Sequence, residues 1–103
     1  MTPTLSVGPG VIRDTVRLAA LEVPGVLRVG RGGPRWRDAL GGGPVKVRIR
    51  DGQVHVTVRV VARPRQRLVP LAGQVRSAVG AAVVRLLGLE LGGVTVLVDG
   101  VGV

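Results

Sequence analysis

The chain has 103 residues, with six acids against fifteen lysines and arginines, a formal charge of +9, one histidine and no cysteine. This length suits one domain, and the missing cysteines exclude disulfides, thiolate metal sites and cysteine nucleophiles. Hydrophobic residues make up 46% of the chain, yet it has one Trp and no Phe or Tyr, so a packed core must be built from Val, Leu and Ala.

Residues 1–10 hold two prolines and two glycines without periodicity and are expected to form a flexible lead-in to a single domain over 11–103. In "VIRDTVRLAALEV" the apolar residues Ile12, Val16, Ala19, Ala20 and Val23 recur every three to four positions, which predicts a helix ending at Pro24-Gly25. Leu18 and Leu21 lie off that stripe and either widen the core face or meet a partner. "GVLRV" follows as a short β-prone edge strand. Residues 30–44, "GRGGPRWRDALGGGP", carry six glycines and two prolines and predict a long Gly/Arg-rich loop with room for one helical turn at "RWRDAL".

"VKVRIRDGQVHVTVRVV", residues 45–61, is the strongest local signal. An Asp51-Gly52 type I′ turn pairs Ile49 with Val54, Val47 with Val56 and Val45 with Val58, so each inward pair is aliphatic. The outward face then collects Lys46, Arg48, Arg50, His55, Thr57 and Arg59. "RPRQR", residues 63–67, leads to a second helix with Pro70 in its first turn and a stripe of Leu68, Leu71, Ala72, Val75, Val79, Ala82, Val83 and Leu86, ended by Gly88. "VTVLVDG" alternates as a last strand. The stretch 77–98 is apolar enough to suggest a membrane span, but Arg85, Glu90 and four glycines predict helix, turn and strand of a core instead. The expected fold is an α+β two-layer sandwich in the order α-β-β-β-α-β, with two helices on one face of a small, mostly antiparallel sheet of three to four strands.

The positive charge is local. Residues 45–67 hold seven cations against Asp51, and residues 28–38 hold Arg28, Arg31, Arg35 and Arg37 against Asp38, whereas the rest of the chain balances. A GC-rich genome accounts for fourteen arginines to one lysine, but not for the missing acids. The candidate anionic-ligand or partner surface is therefore Lys46, Arg48, Arg50, His55, Arg59, Arg63, Arg65 and Arg67, together with Arg35, Trp36 and Arg37 of the loop. The alternative is an ordinary solvated sheet face that guards an edge against aggregation.

Catalytic and cofactor chemistry find little support. His55 has no His or Cys partner for a metal, Ser6 and Ser77 fall in segments remote from it, and the six carboxylates form no spaced pair. The glycine-rich loop lacks a Walker ending and a GxGxxG context. Trp36 stacks on a base, anchors at a lipid interface or caps the domain's own core. We expect no enzyme, no cofactor and no metal, and, with no N-terminal signal pattern, a cytoplasmic location.

"AALEVPGV" (19–26), the hairpin segment 45–61, "GQVRSAVGAAVVRLLGLEL" (73–91) and "VTVLVDGV" (94–101) together resemble the alkaline shock protein family. The resemblance implies a non-enzymatic scaffold of cell-envelope stress response or homeostasis, held at the inner face of the membrane by a membrane-anchored partner protein and tending to self-associate. Where the family commonly has a Tyr-Gly turn after the third strand, this chain has "ARPRQR". Its basic face adds anionic lipid as a candidate partner. The alternative function is a nucleic-acid-binding module, against which stand the missing aromatic platform, RNP motifs and GxxG loop.

Overall fold

The computed structural model describes residues 7–30 and 43–102. Helix α1 spans Pro9–Leu21, beginning two residues inside the stretch expected as lead-in. Pro9 explains the early start, since the first helical position needs no N–H and favours the fixed proline φ. Ile12, Val16 and Ala20 are fully buried and Val23 nearly so. At the Pro24-Gly25 exit, a Cβ on Gly25 would stand 2.5 Å from Gln66 Oε1 and 2.6 Å from Leu71 Cδ1, so glycine lets the chain pass close to the second helix.

Four strands follow the expected order: β1 (Val26–Val29), β2 (Val45–Arg50), β3 (Gln53–Ala62) and, after the second helix, β4 (Leu91–Val101). The β2–β3 hairpin has the predicted register, Val45 with Val58, Val47 with Val56 and Ile49 with Val54. Asp51 and Gly52 turn it with φ of 51° and 76°, the left-handed pair that a type I′ turn requires. β1 is also antiparallel to β3, but at its far half, Val26 with Ala62 and Val29 with Val60. Because β4 accompanies β3 from Val54 to Ala62, β1 and β2 must share the opposite edge and together act as one interrupted strand. The interruption is pinned at a single residue: Gly30 N donates to Arg59 O and Arg59 N donates to Pro44 O, both at 2.9 Å.

β4 runs parallel to β3, as a helical crossover between them allows. That crossover is α2 (Leu68–Ala81) continued by a π-helical turn at Ala82–Leu86. The wider turn, closed by Leu87 N donating to Ala82 O, shifts the helical phase. Leu86, expected on the core stripe, is therefore 76% exposed, and Leu87 and Leu89 pack against the core instead. Leu68 is also exposed. Gly88 ends the segment with φ 66°, as expected for a C-terminal cap.

The core lies between the helices and one face of the sheet. Val54, Val56, Val58 and Val60 of β3 meet Ile12, Val16, Leu71, Val75, Val79 and Val83 of the helical layer, with Val94, Val96 and Val98 at the β4 side. Each fully buried side chain of this size contributes about 1.5–3 kcal/mol. Among the described residues no polar or charged residue is buried. Ile49 points to the helix side but lies at the hairpin tip, beyond the helical cover, and stays 57% exposed. The segment 77–98 is helix, turn and strand, and among the described residues no helix is long and apolar enough to cross a membrane.

Candidate functional site

Strand parity decides what the face of the sheet away from the helices presents. The valines at alternate positions of β2 and β3 turn toward the helices, so Lys46, Arg48 and Arg50 of β2 and His55, Thr57 and Arg59 of β3 turn the other way. The three β2 cations are exposed, and His55 and Arg59 are half-buried. Across β3, Thr95 lies beside Thr57 and Leu97 beside Arg59. Arg28, absent from the sequence-derived set, is in register with outward-facing Val61, which extends the line of basic residues along the β1–β2 edge.

Three of the expected residues gather at the hairpin end. Arg48 and His55 are direct cross-strand partners, and with Arg50, Asp51 and Gln53 they line an open concavity of about 410 Å³. Gln53 Nε2 donates to Glu90 Oε1 at 3.1 Å, tying the hairpin to the start of β4. His55 owes its position to Gly92. The β3–β4 register slips between Val54–Leu91 and His55–Gly93, leaving Gly92 as the extra residue. A Cβ on Gly92 would lie 2.5 Å from both Cε1 and Nε2 of the imidazole, so this bulge glycine makes room for the ring. A lone glycine pair in a strand pattern signals such an approach, but not which side chain approaches.

Arg59 sits mid-sheet with its guanidinium 3.9 Å from the Asp99 carboxylate. Both side chains are partly exposed, so this pair is worth less than about 1 kcal/mol. Arg63, Arg65 and Arg67 are exposed but occupy the β3–α2 loop, at the opposite end of a ten-residue strand from the hairpin tip. That is about 30 Å along the strand, so they do not join Arg48, Arg50 and His55 in one cluster. Arg65 has φ 66°. Arg35, Trp36 and Arg37 lie outside the described residues.

A second surface opens on the helical layer. A groove of about 1040 Å³ runs between α1 and α2, with Leu18 and Leu86 on its walls, Ala78 and Ala82 also lining it, and Glu22 and Arg85 at its margins. Leu18 is 62% exposed and Leu21 39%, so neither of these off-stripe leucines widens the core face. No group of three or more His, Cys, Asp or Glu side chains is arranged to hold a metal among the described residues.

These features define a two-layer α+β module whose helices pack on one face of the sheet, while Lys46, Arg48 and Arg50 stand exposed on the other. The model of the alkaline shock protein 23 family, described by a cell envelope-related function, matches residues 2–103, and the chain belongs to that family. No curated protein matches it significantly. Among solved structures, the copper form of MamM CTD is similar at a TM-score of 0.60 and 18% identity, covering 92% of this chain and 88% of that one. A zinc form of a MamM CTD variant gives 0.59 and 18%, covering 91% of this chain and 87% of that one. A further MamM CTD variant gives 0.58 and 19%, covering 88% and 95% respectively. At such identities the likeness concerns the fold alone.

Proposed function

We propose that this chain is a non-enzymatic interaction protein of the cell envelope, held at the cytoplasmic face of the membrane by a membrane-anchored partner protein and assisted by its open sheet face, which attracts anionic lipid headgroups. The family's cell-envelope-related function supports the setting. The observation that carries the rest is the segregation of the two sheet faces: the helices pack on the valine side, and Lys46, Arg48 and Arg50 stand exposed on the other. Like charges spaced along one strand repel by a few tenths of a kcal/mol each unless an anion compensates. A cation held near an anionic bilayer contributes about 1 kcal/mol. Protein contacts are left to the helix groove and the sheet edge.

The metals named for forms of MamM CTD are said of that protein and do not enter this reading. A nucleic-acid module would use the same open face, but the positions there that an aromatic platform would occupy hold Thr57, Thr95 and Leu97.

Binding of the full chain to phosphatidylglycerol vesicles, to RNA and to DNA, each titrated with salt, tests the reading. Vesicle binding should weaken as salt rises and be lost in Arg48→Glu/Arg50→Glu, with nucleic acid bound more weakly. Tight nucleic-acid binding with a log–log salt slope of about −4 would transfer the function to the alternative. If no anion binds and the double variant behaves as wild type, the face is a solvated surface and the lipid part of the proposal fails.

A further inference from the structure

The groove between α1 and α2 joins an apolar lining to a one-sided charge. Leu18 of α1 and Leu86 of the π turn stand exposed on its walls, with Ala78, Ala81 and Ala82 among the residues that line it. Such small side chains on one helix let a further helix approach closely. The β3–α2 loop closes one end. Gln66 lines the groove beside Gly25, and Arg63 N donates to Gly25 O at 2.9 Å, which fixes the loop there.

Arg65 and Arg67 flank Gln66 and, like Arg63, are exposed; Arg85 stands exposed at the other end, the length of α2 away. Among the described residues none of these four guanidiniums meets a carboxylate. The sequence has no acid between Asp51 and Glu90, so neither the loop nor α2 supplies one, and Glu22 is the single acid in the groove lining.

Charge and position select the occupant. Unpaired cations beside apolar walls complement a segment that carries both carboxylates and aliphatic side chains. The chain has no such segment of its own: no two of its six acids lie closer than eight positions, and a second copy at +9 repels the first. Nor is lipid the occupant, because the helical layer lies on the far side of the sheet from Lys46, Arg48 and Arg50. When those cations rest on a bilayer, the groove faces away from it.

We infer that the groove receives an amphipathic acidic helix of a partner protein, its apolar side against Leu18, Leu86 and the alanines and its carboxylates on Arg63, Arg65, Arg67 and Arg85. The inference rests on the reading of the chain as an interaction protein of the envelope and gives the partner's docking segment its chemistry.

A random peptide library displayed on phage and panned against the immobilised full chain tests this without a known partner. Enriched peptides should combine aliphatic residues at helical spacing with several acids, and a synthetic copy of one should bind in fluorescence anisotropy. Leu18→Ser/Leu86→Ser, at two exposed positions, should weaken that peptide about tenfold or more with an unchanged circular dichroism spectrum. Arg63→Glu/Arg65→Glu should weaken it comparably at low salt and less at high salt, whereas Arg48→Glu/Arg50→Glu should leave it nearly unchanged. No enriched peptide overturns the inference. So do enriched peptides without acids, a peptide indifferent to the groove and loop variants, or one that Arg48→Glu/Arg50→Glu weakens as much as the loop variant does. Vesicle binding that persists while no peptide is enriched would retire the groove and leave the lipid reading standing. Peptide binding by a chain that ignores vesicles would do the reverse.

Discussion

His55 and Gly92 show how one missing side chain sets the position of another. A methyl group at Gly92 would overlap the imidazole at 2.5 Å, and the ring would have to leave its rotamer, a displacement that costs about 0.5–1.5 kcal/mol. Gly92→Ala should therefore lower stability by about that amount in urea unfolding. The same change in a His55→Ala background should cost nearly nothing, because the obstacle is gone; equal costs in the two backgrounds would show that the bulge backbone, not the ring, requires glycine. Sequence alone exposes His55 as the single histidine on an outward strand face. Its pairing with Gly92 stays hidden, because the bulge arises from how β4 docks on β3, and nothing in the local spacing of "ELGGVTV" encodes that.

At the scale of elements, the hairpin is legible in full. Asp51-Gly52 sets the turn, the turn sets the register, and period-two alternation then assigns every side chain of 45–59 to a face. Since Leu68 of the expected stripe is exposed, the second helix is legible only from Leu71 to Val83. Beyond it the π turn changes the phase, so Leu86 is expected inside and found at 76% exposure, since a periodic pattern presumes one constant helical pitch. Two leucines of the same predicted stripe should consequently behave in opposite ways. Leu71→Ala empties a core site that is 2% exposed and should cost about 2–5 kcal/mol, whereas Leu86→Ser should shift stability by no more than about 0.5 kcal/mol. Thermal or denaturant unfolding of the pair checks this; a large loss at Leu86 would place the groove leucine in the fold's own packing. The direction of β4 is equally illegible in its alternation, which is the same for parallel and antiparallel neighbours.

For the molecule as a whole, segregation of charge and apolar surface onto two faces gives the attraction to lipid a direction. Arg63→Glu/Arg65→Glu, in the loop at the far end of β3, changes the net charge as much as Arg48→Glu/Arg50→Glu, yet should weaken binding to phosphatidylglycerol vesicles less in cosedimentation at matched salt. Equal losses would mean that total charge, and not the hairpin face, governs the attraction. The clustering of cations in the middle of the chain is plain from the sequence, but their division between the hairpin face and the distant loop at Arg63–Arg67 appears only once the ten-residue β3 separates them.

The parallel pairing of β3 with β4 also dictates an order of events. Gln53 and Glu90, joined by a hydrogen bond, stand 37 positions apart, while the hairpin closes through a two-residue turn. Loop closure favours the near pair, so during synthesis the hairpin should zip first and β3 should wait with one margin bare until α2 has emerged and carried β4 back to it. For that interval the nascent chain exposes a valine-rich strand to its neighbours on the same message, and the guarded β2 side is then its principal safeguard against premature entanglement.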